Sequence, residues 1–186
     1  MIRVASDPFD QISQFLEYPV EGLREALAEF PNRVRERFPE AASHLETYLK
    51  GTQDLSLTEM EELFTRTFDI NPACTLELGW ILYGQQYERG AFLVRMRELL
   101  RSQEVEEKGE LPDHLTYVLR ALGKMPEDEA RSFCEKEVIP ALVKMRAGFE
   151  DGGNPYTSVI EAVQSALNLF AESNGSDLPS SSEAGK

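Results

Sequence analysis

The sequence predicts an all-α protein, a single-domain helical bundle of roughly eight to ten helices joined by short connections. Apolar residues recur at the spacing of a helix face in almost every segment, whereas alternating β-branched runs between tight turns are absent. Residues that start and stop helices separate these segments. With 186 residues and 41% hydrophobic composition, the chain is long enough to bury one core without disulfides or metal.

The predicted helices follow from these start and stop residues. In chain order they are 8–17, 21–30, about 39–51, a helix capped by Ser56, about 75–87, a helix from near Gly90 through Phe92 to Leu100, 112–123, a helix opened by Pro126 and a helix opened by Asn154 and Pro155. Ser56 and Glu59 form a capping-box pattern, in which both side chains satisfy free amides at a helix start. Pro140 should bend or split the Pro126 helix near Ile139, because proline has no amide hydrogen to donate.

The helical domain covers residues 1–172 in this interpretation, and the Ser/Gly-rich stretch 173–186 is predicted to be a flexible tail. The first residues lack a basic region followed by a continuous apolar stretch, so they do not resemble a secretion signal. No window approaches the roughly 18 uninterrupted apolar residues of a membrane-spanning helix. We therefore expect a cytoplasmic protein.

The charge of the chain favours some partners over others. Nineteen basic and thirty-three acidic residues give a net charge of −14. Such a field repels nucleic acids and anionic lipids, and it attracts a basic peptide. Between residues 104 and 129, eight carboxylates outnumber three basic side chains. The alternative interpretation is an acidic surface that only keeps the protein solvated.

Motifs for catalysis and metal binding are missing from the sequence. It contains no GxSxG element, no Gly-rich phosphate loop and no HExxH helix. Cys74 and Cys134 belong to no CxxC pair and, with His44 and His114, offer no zinc-ligand spacing. We interpret both cysteines as reduced, partly buried thiols and His44 as a surface residue. We expect no enzymatic activity, no metal and no cofactor.

His114 is the more informative histidine. It lies in the ELPDHL sequence of residues 110–115, where an acidic loop enters the helix predicted over 112–123. Free backbone amides at a helix start can hold a carboxylate and an imidazole in defined orientations. Asp113 and His114 therefore either belong to a site or only cap and pack the helix, and the residues alone leave both interpretations open.

The ELPDHL sequence arrives about thirty residues after the end of LFTRTFDINPACTLELGW, residues 63–80. This pairing resembles the NarJ family, the delta-subunit assembly chaperones of membrane-bound respiratory nitrate reductase, and more widely the TorD/DmsD/NarJ chaperones for molybdenum enzymes. The resemblance covers roughly residues 8–170. The family's Glu-x-Pro-Asp-His signature is matched by Glu110, Pro112, Asp113 and His114, and its Gly-x-x-x-x-Arg-Gly turn by Gly84, Arg89 and Gly90.

The resemblance implies an all-helical, non-enzymatic chaperone. Its implied partner is the molybdenum-containing catalytic subunit of a respiratory reductase, bound through an N-terminal peptide and kept in the cytoplasm until the molybdenum cofactor is inserted. We predict that Asp113 and Glu110 meet a cationic or amide group of this peptide and that His114 positions the loop. The full predicted peptide-binding set is Glu110, Pro112, Asp113, His114, Trp80, Tyr83, Tyr87 and Arg89.

Two alternatives remain at this point. Trp80, Tyr83 and Tyr87 have the spacing of one helix face, so they either contact the peptide or pack in the core. The chain as a whole is either the chaperone described above or a general helical adaptor unrelated to metalloenzyme maturation. An enzyme, the third class, would have to bind a metal or a nucleotide.

Overall fold

The computed structural model describes residues 7–149 and 153–173, which form α-helices and no strand. This confirms the predicted all-α, single helical domain. The α-helices are α1 Pro8–Ser13, α2 Leu23–Leu27, α3 Phe30–Val34, α4 Pro39–Thr52, α5 Leu57–Phe64, α6 Leu78–Tyr83, α7 Tyr87–Ser102, α8 Leu115–Leu122, α9 Glu127–Phe133, α10 Ile139–Ala147 and α11 Tyr156–Glu172. Apart from Ser173, the predicted tail lies outside the described residues. No helix of the described part is long and apolar enough to cross a membrane.

The capping signals act where the sequence predicted them. The Ser56 hydroxyl accepts from the amide of Glu59, and the Glu59 carboxylate accepts from the amide of Ser56 at 2.8 Å, which confirms the capping box. Pro39 begins α4 and Gly123 caps the end of α8. The Asn154 side chain accepts from the amide of Tyr156 at 3.0 Å and so caps α11.

Two π-helical segments extend helices without interrupting them. Thr65–Asp69 continues α5, and Cys134–Val138 joins α9 directly to α10. Pro140 lies in the first turn of α10, where its missing amide hydrogen is tolerated. The predicted split near Ile139 is therefore a change in helical winding, in which the wider π turn accommodates the proline.

The core lies between α4 and α11, which pack along each other, with α3 against α4, α10 against α11 and Phe9 of α1 against Phe170 of α11. Aromatic rings meet edge to face where α5 reaches this pair: the ring centroids of Phe68 and Tyr156 are 4.9 Å apart, and those of Phe64 and Tyr156 are 5.7 Å apart. α8 packs on α1 with its entire length buried. This packing brings the loop that precedes α8 close to the segment that precedes α6.

One predicted helix is wrong. The sequence favoured a continuous helix over 75–87, but α6 ends at Tyr83 and Gly84 adopts a φ of 56° before α7 begins at Tyr87. Glycine tolerates this backbone conformation because it has no Cβ. The boundary predicted near Gly90 thus lies at Gly84, and Tyr87 does not share a helix face with Trp80 and Tyr83.

Candidate functional site

The loop that carries ELPDHL, residues 110–114, is called the signature loop below. It runs antiparallel to the residues that lead into α6. The amide of Leu115 donates to the carbonyl of Leu76 at 2.8 Å, and the amide of Leu78 donates to the carbonyl of Asp113 at 3.2 Å. The two sequence segments that carry the family resemblance are therefore bonded to each other in the fold.

The Asp113 side chain reinforces this contact. Its Oδ2 accepts from the amide of Gly79, in the first turn of α6, at 2.7 Å, and the residue is 0% exposed. Glu77, the residue in the N-cap position of α6, makes no such bond, so Asp113 supplies the cap from a distant part of the chain. Burial raises the pKa of Asp113, while the Gly79 amide opposes that rise.

This geometry differs from the sequence-based expectation in two respects. The helix predicted to open at Pro112 begins at Leu115, and Asp113 caps α6 instead of α8. Pro112 and Asp113 are both buried, so neither side chain faces solvent in the position expected for direct contact with a peptide. Their part in peptide binding stays a prediction, and we treat them as positioning residues.

Arg89 holds the other side of the α6 start. Its guanidinium forms an ion pair with Glu77 at 2.8 Å and lies 5.2 Å from the centroid of the Trp80 ring. The Trp80 indole in turn donates to the carbonyl of Pro72 at 3.1 Å. Arg89 and Trp80 are half-buried, and both link the α6 start to the chain around it.

The two tyrosines of the predicted set are separated. The Tyr83 ring packs against Phe92 with centroids 5.6 Å apart and is half-buried, whereas Tyr87 is 91% exposed at the start of α7. The expectation that both share one face with Trp80 fails because the chain turns at Gly84. Tyr87 forms no hydrogen bond or ring contact among the described residues.

A cavity of about 480 Å³ borders the signature loop, and we call it the loop groove. Its walls come from the loop, α8, the 3₁₀ turn after α1 with the chain that follows it, and the end of α5 with its π-helical extension. The lining residues are Gln14, Leu16, Glu17, Tyr18, Val20, Leu23, Phe64, Asp69, Lys108, Glu110, His114, Thr116, Tyr117 and Arg120. Of the predicted peptide-binding residues, it contains Glu110 and His114.

Electrostatics differ between the floor and the rim of the loop groove. On the floor, Arg120 is 8% exposed and pairs with Glu17 and, at 3.3 Å, with Asp10. His114 Nδ1 lies 2.8 Å from the Thr116 hydroxyl. Burial, with the nearby charge of Arg120, lowers the pKa of His114 to about 4, so its imidazole is neutral at pH 7. The rim carries the exposed carboxylates of Asp69 and Glu110.

A second, more apolar cavity of about 190 Å³ continues from the loop groove, and we call it the apolar extension. Val20 and Leu23 line both cavities. Leu27, Leu57 and Met60 line the apolar extension only, and Val20 and Leu57 remain 53% and 41% exposed. The two cavities are adjacent at Val20 and Leu23, with the polar side chains of the signature loop in the first and more apolar side chains in the second.

The sequence-based prediction missed the wall formed by residues 14–23. The gap between the predicted helices 8–17 and 21–30 contains Tyr18 and Pro19, which follow the point where a 3₁₀ turn, Gln14–Leu16, changes to extended backbone at Glu17. An aromatic residue at such a break is a recognisable signal for an exposed ring. No group of three His, Cys, Asp or Glu side chains that could hold a metal ion occurs in the described residues.

Comparison with known protein families agrees with this geometry. The family model for the nitrate reductase delta subunit matches residues 9–160, well over half of the chain. The match spans α1 to the beginning of α11, and it therefore includes the signature loop, the start of α6 and both cavities. None of the curated proteins matches the chain significantly.

Proposed function

Because this chain belongs to the nitrate reductase delta subunit family, whose members are assembly chaperones and not catalysts, we propose that it binds the N-terminal segment of a molybdenum-enzyme catalytic subunit. The client is of the nitrate reductase type or a relative of it. The chaperone acts in the cytoplasm, holds this segment while the molybdenum cofactor is inserted, and catalyses no reaction itself.

One observation supports this proposal above the others: an open groove borders the loop that carries the family signature. Glu110 and His114 contribute directly to its wall. A peptide that forms an amphipathic helix needs an apolar trough with polar groups at the margin, and the apolar extension joined to the loop groove has that composition. The net charge of −14 favours a basic segment and speeds its capture.

The buried part of the signature supports the groove from behind. Asp113 fixes the loop to α6 through Gly79, and Arg89 and Trp80 brace the same helix start. A loop held to the start of α6 in this way presents Glu110 and His114 in one arrangement, so less conformational entropy is lost when a peptide binds. In this mechanism the signature residues divide into groove contacts and positioning residues.

The test is binding of an N-terminal peptide of a nitrate reductase catalytic subunit, measured by titration calorimetry with the full chain. Glu110→Lys reverses a charge at the groove rim and should weaken binding about tenfold or more. Glu36→Lys is the matched control, because Glu36 is equally exposed and lines neither the loop groove nor the apolar extension. Wild-type affinity in the Glu110 variant would exclude the groove as the peptide site.

A second experiment distinguishes the proposed function from the competing one, a general helical adaptor. The tagged chain is expressed in cells together with the molybdenum subunit, and the captured proteins are identified by mass spectrometry. We expect the catalytic subunit to be recovered, and recovery to fall when its N-terminal segment is deleted. Recovery that does not depend on the segment would contradict the proposal.

A further inference from the structure

Two carboxylates at the rim of the loop groove keep their charge uncompensated within the described part of the chain. Asp69 and Glu110 are exposed, line the groove and form no ion pair there. The groove's own cations are already engaged, since Lys108 pairs with Glu106 at 3.1 Å and Arg120 pairs with Asp10 and Glu17. A cation supplied by a partner would therefore find two available carboxylates.

Aromatic rings lie in the same wall. Tyr18 is 48% exposed, and its ring meets Phe64 edge to face with centroids 5.4 Å apart. Both residues line the loop groove with Asp69 and Glu110. A planar guanidinium gains from a ring face and from carboxylate oxygens at once, whereas an ammonium group is a compact charge that holds its water more strongly.

A buried side-chain amide gives independent support for a ligand in this groove. Gln14 is 2% exposed and lines the loop groove, and its Nε2 has no hydrogen-bond partner among the described residues. Buried donors are nearly always hydrogen-bonded in folded proteins, so this amide requires an acceptor, which either a water or a ligand in the groove supplies. A main-chain carbonyl of a bound peptide is such an acceptor.

We propose that the loop groove binds an arginine side chain of the client peptide. The guanidinium lies against the Tyr18 ring and pairs with Asp69 and Glu110, while a neighbouring peptide carbonyl accepts from Gln14. This inference rests on the proposed function, and it adds the identity of the residue that the groove selects. It also assigns a binding role to Gln14, Tyr18 and Asp69, which lie outside the signature.

The experiment replaces each arginine of the same N-terminal peptide, one at a time, with citrulline, which keeps the planar shape but carries no charge. One replacement should weaken binding to the full chain about tenfold. Asp69→Asn should weaken the unmodified peptide by a similar factor. The two changes together should lose little more than either alone, because each removes the same interaction.

The outcomes separate this inference from the proposed function. Glu36→Gln, a change of an equally exposed carboxylate away from both cavities, should leave binding and the citrulline effect unchanged. If every citrulline peptide binds as tightly as the original, the arginine site is wrong and the peptide groove stands. Full affinity after replacement of the arginine by lysine would also overturn it, because the groove would then recognise charge alone. No binding of the unmodified peptide overturns both.

Discussion

The Asp113 carboxylate accepts a hydrogen bond from the amide of Gly79 at 2.7 Å, across a separation of 34 residues. This contact joins the signature loop to the first turn of α6 in a fully buried environment. It explains why an acidic residue of the signature lies inside the protein. Its negative charge caps a short helix that lacks a capping side chain of its own.

Removal of the Asp113 carboxylate should destabilise the fold. In Asp113→Ala the Gly79 amide stays buried without an acceptor, which costs about 1–3 kcal/mol. Asp113→Asn keeps a side-chain oxygen for the same bond and should lose less than about 1 kcal/mol. Urea unfolding followed by circular dichroism measures both. Equal stability of the alanine variant and the wild type would contradict the capping role.

Gly79 is required by the same contact. A Cβ at this position would lie 2.8 Å from Asp113 Oδ2 and 3.0 Å from Phe92 Cδ1, so Gly79→Ala should destabilise the protein by about 1–3 kcal/mol. Gly90→Ala is the matched control. A Cβ at Gly90 meets nothing within 4 Å, and alanine favours a helix interior over glycine by about 1 kcal/mol. Thermal unfolding should therefore move in opposite directions for the two variants.

The sequence predicted the helices well wherever the signal was local. Helix starts and ends depend on hydrogen bonds or dihedral angles within a few residues, so they can be predicted from sequence. This applies to Ser56, Pro39 and Gly123. The helix break at Gly84 was not predicted, because Tyr87 keeps the helical spacing of Trp80 and Tyr83 across it. Its φ of 56° is set by tertiary packing, which ends α6 before Gly84 and starts α7 after it.

Some residues of the site could be predicted from the sequence, but their arrangement in space could not. The ELPDHL sequence identified Glu110 and His114, which line the loop groove. Asp113 could not be assigned to α6 from sequence, because nothing near residue 113 reports which distant amide it will meet. Tyr18 and Asp69 come from two other parts of the chain and reach the groove only through the tertiary fold.

Tyr18 and Tyr87 provide a direct test of which aromatic residue contacts the peptide. Both rings are exposed, at 48% and 91%, but only Tyr18 lines the loop groove. Tyr18→Ala should weaken peptide binding about fivefold to tenfold, and Tyr87→Ala should leave it unchanged. Calorimetry with the N-terminal peptide measures both affinities, and a thermal melt confirms that each variant is folded. The reverse order of effects would support the peptide contact predicted for Tyr87 from sequence.

The neutral His114 imidazole should make stability depend on pH. Burial lowers its pKa from 6.5 to about 4, so the unfolded chain binds a proton on this side chain more readily than the folded chain does. The contribution of His114 is therefore fully present above about pH 6.5 and is lost as the pH falls toward 4. Asp113, whose pKa burial raises, acts in the opposite direction and partly offsets this loss at the acid end.

Comparison with His114→Gln isolates the histidine from the carboxylates. Between pH 7.5 and pH 5.5 the wild type should lose about 1 kcal/mol more free energy of unfolding than the variant, because glutamine does not titrate. The range stops at pH 5.5 because the chain approaches its isoelectric point near 4.6, where its net charge vanishes and it associates. Urea titrations at the two pH values provide the measurement. Parallel losses in both proteins would mean that His114 titrates equally in the folded and unfolded chain, and that the groove floor is more hydrated than its geometry indicates.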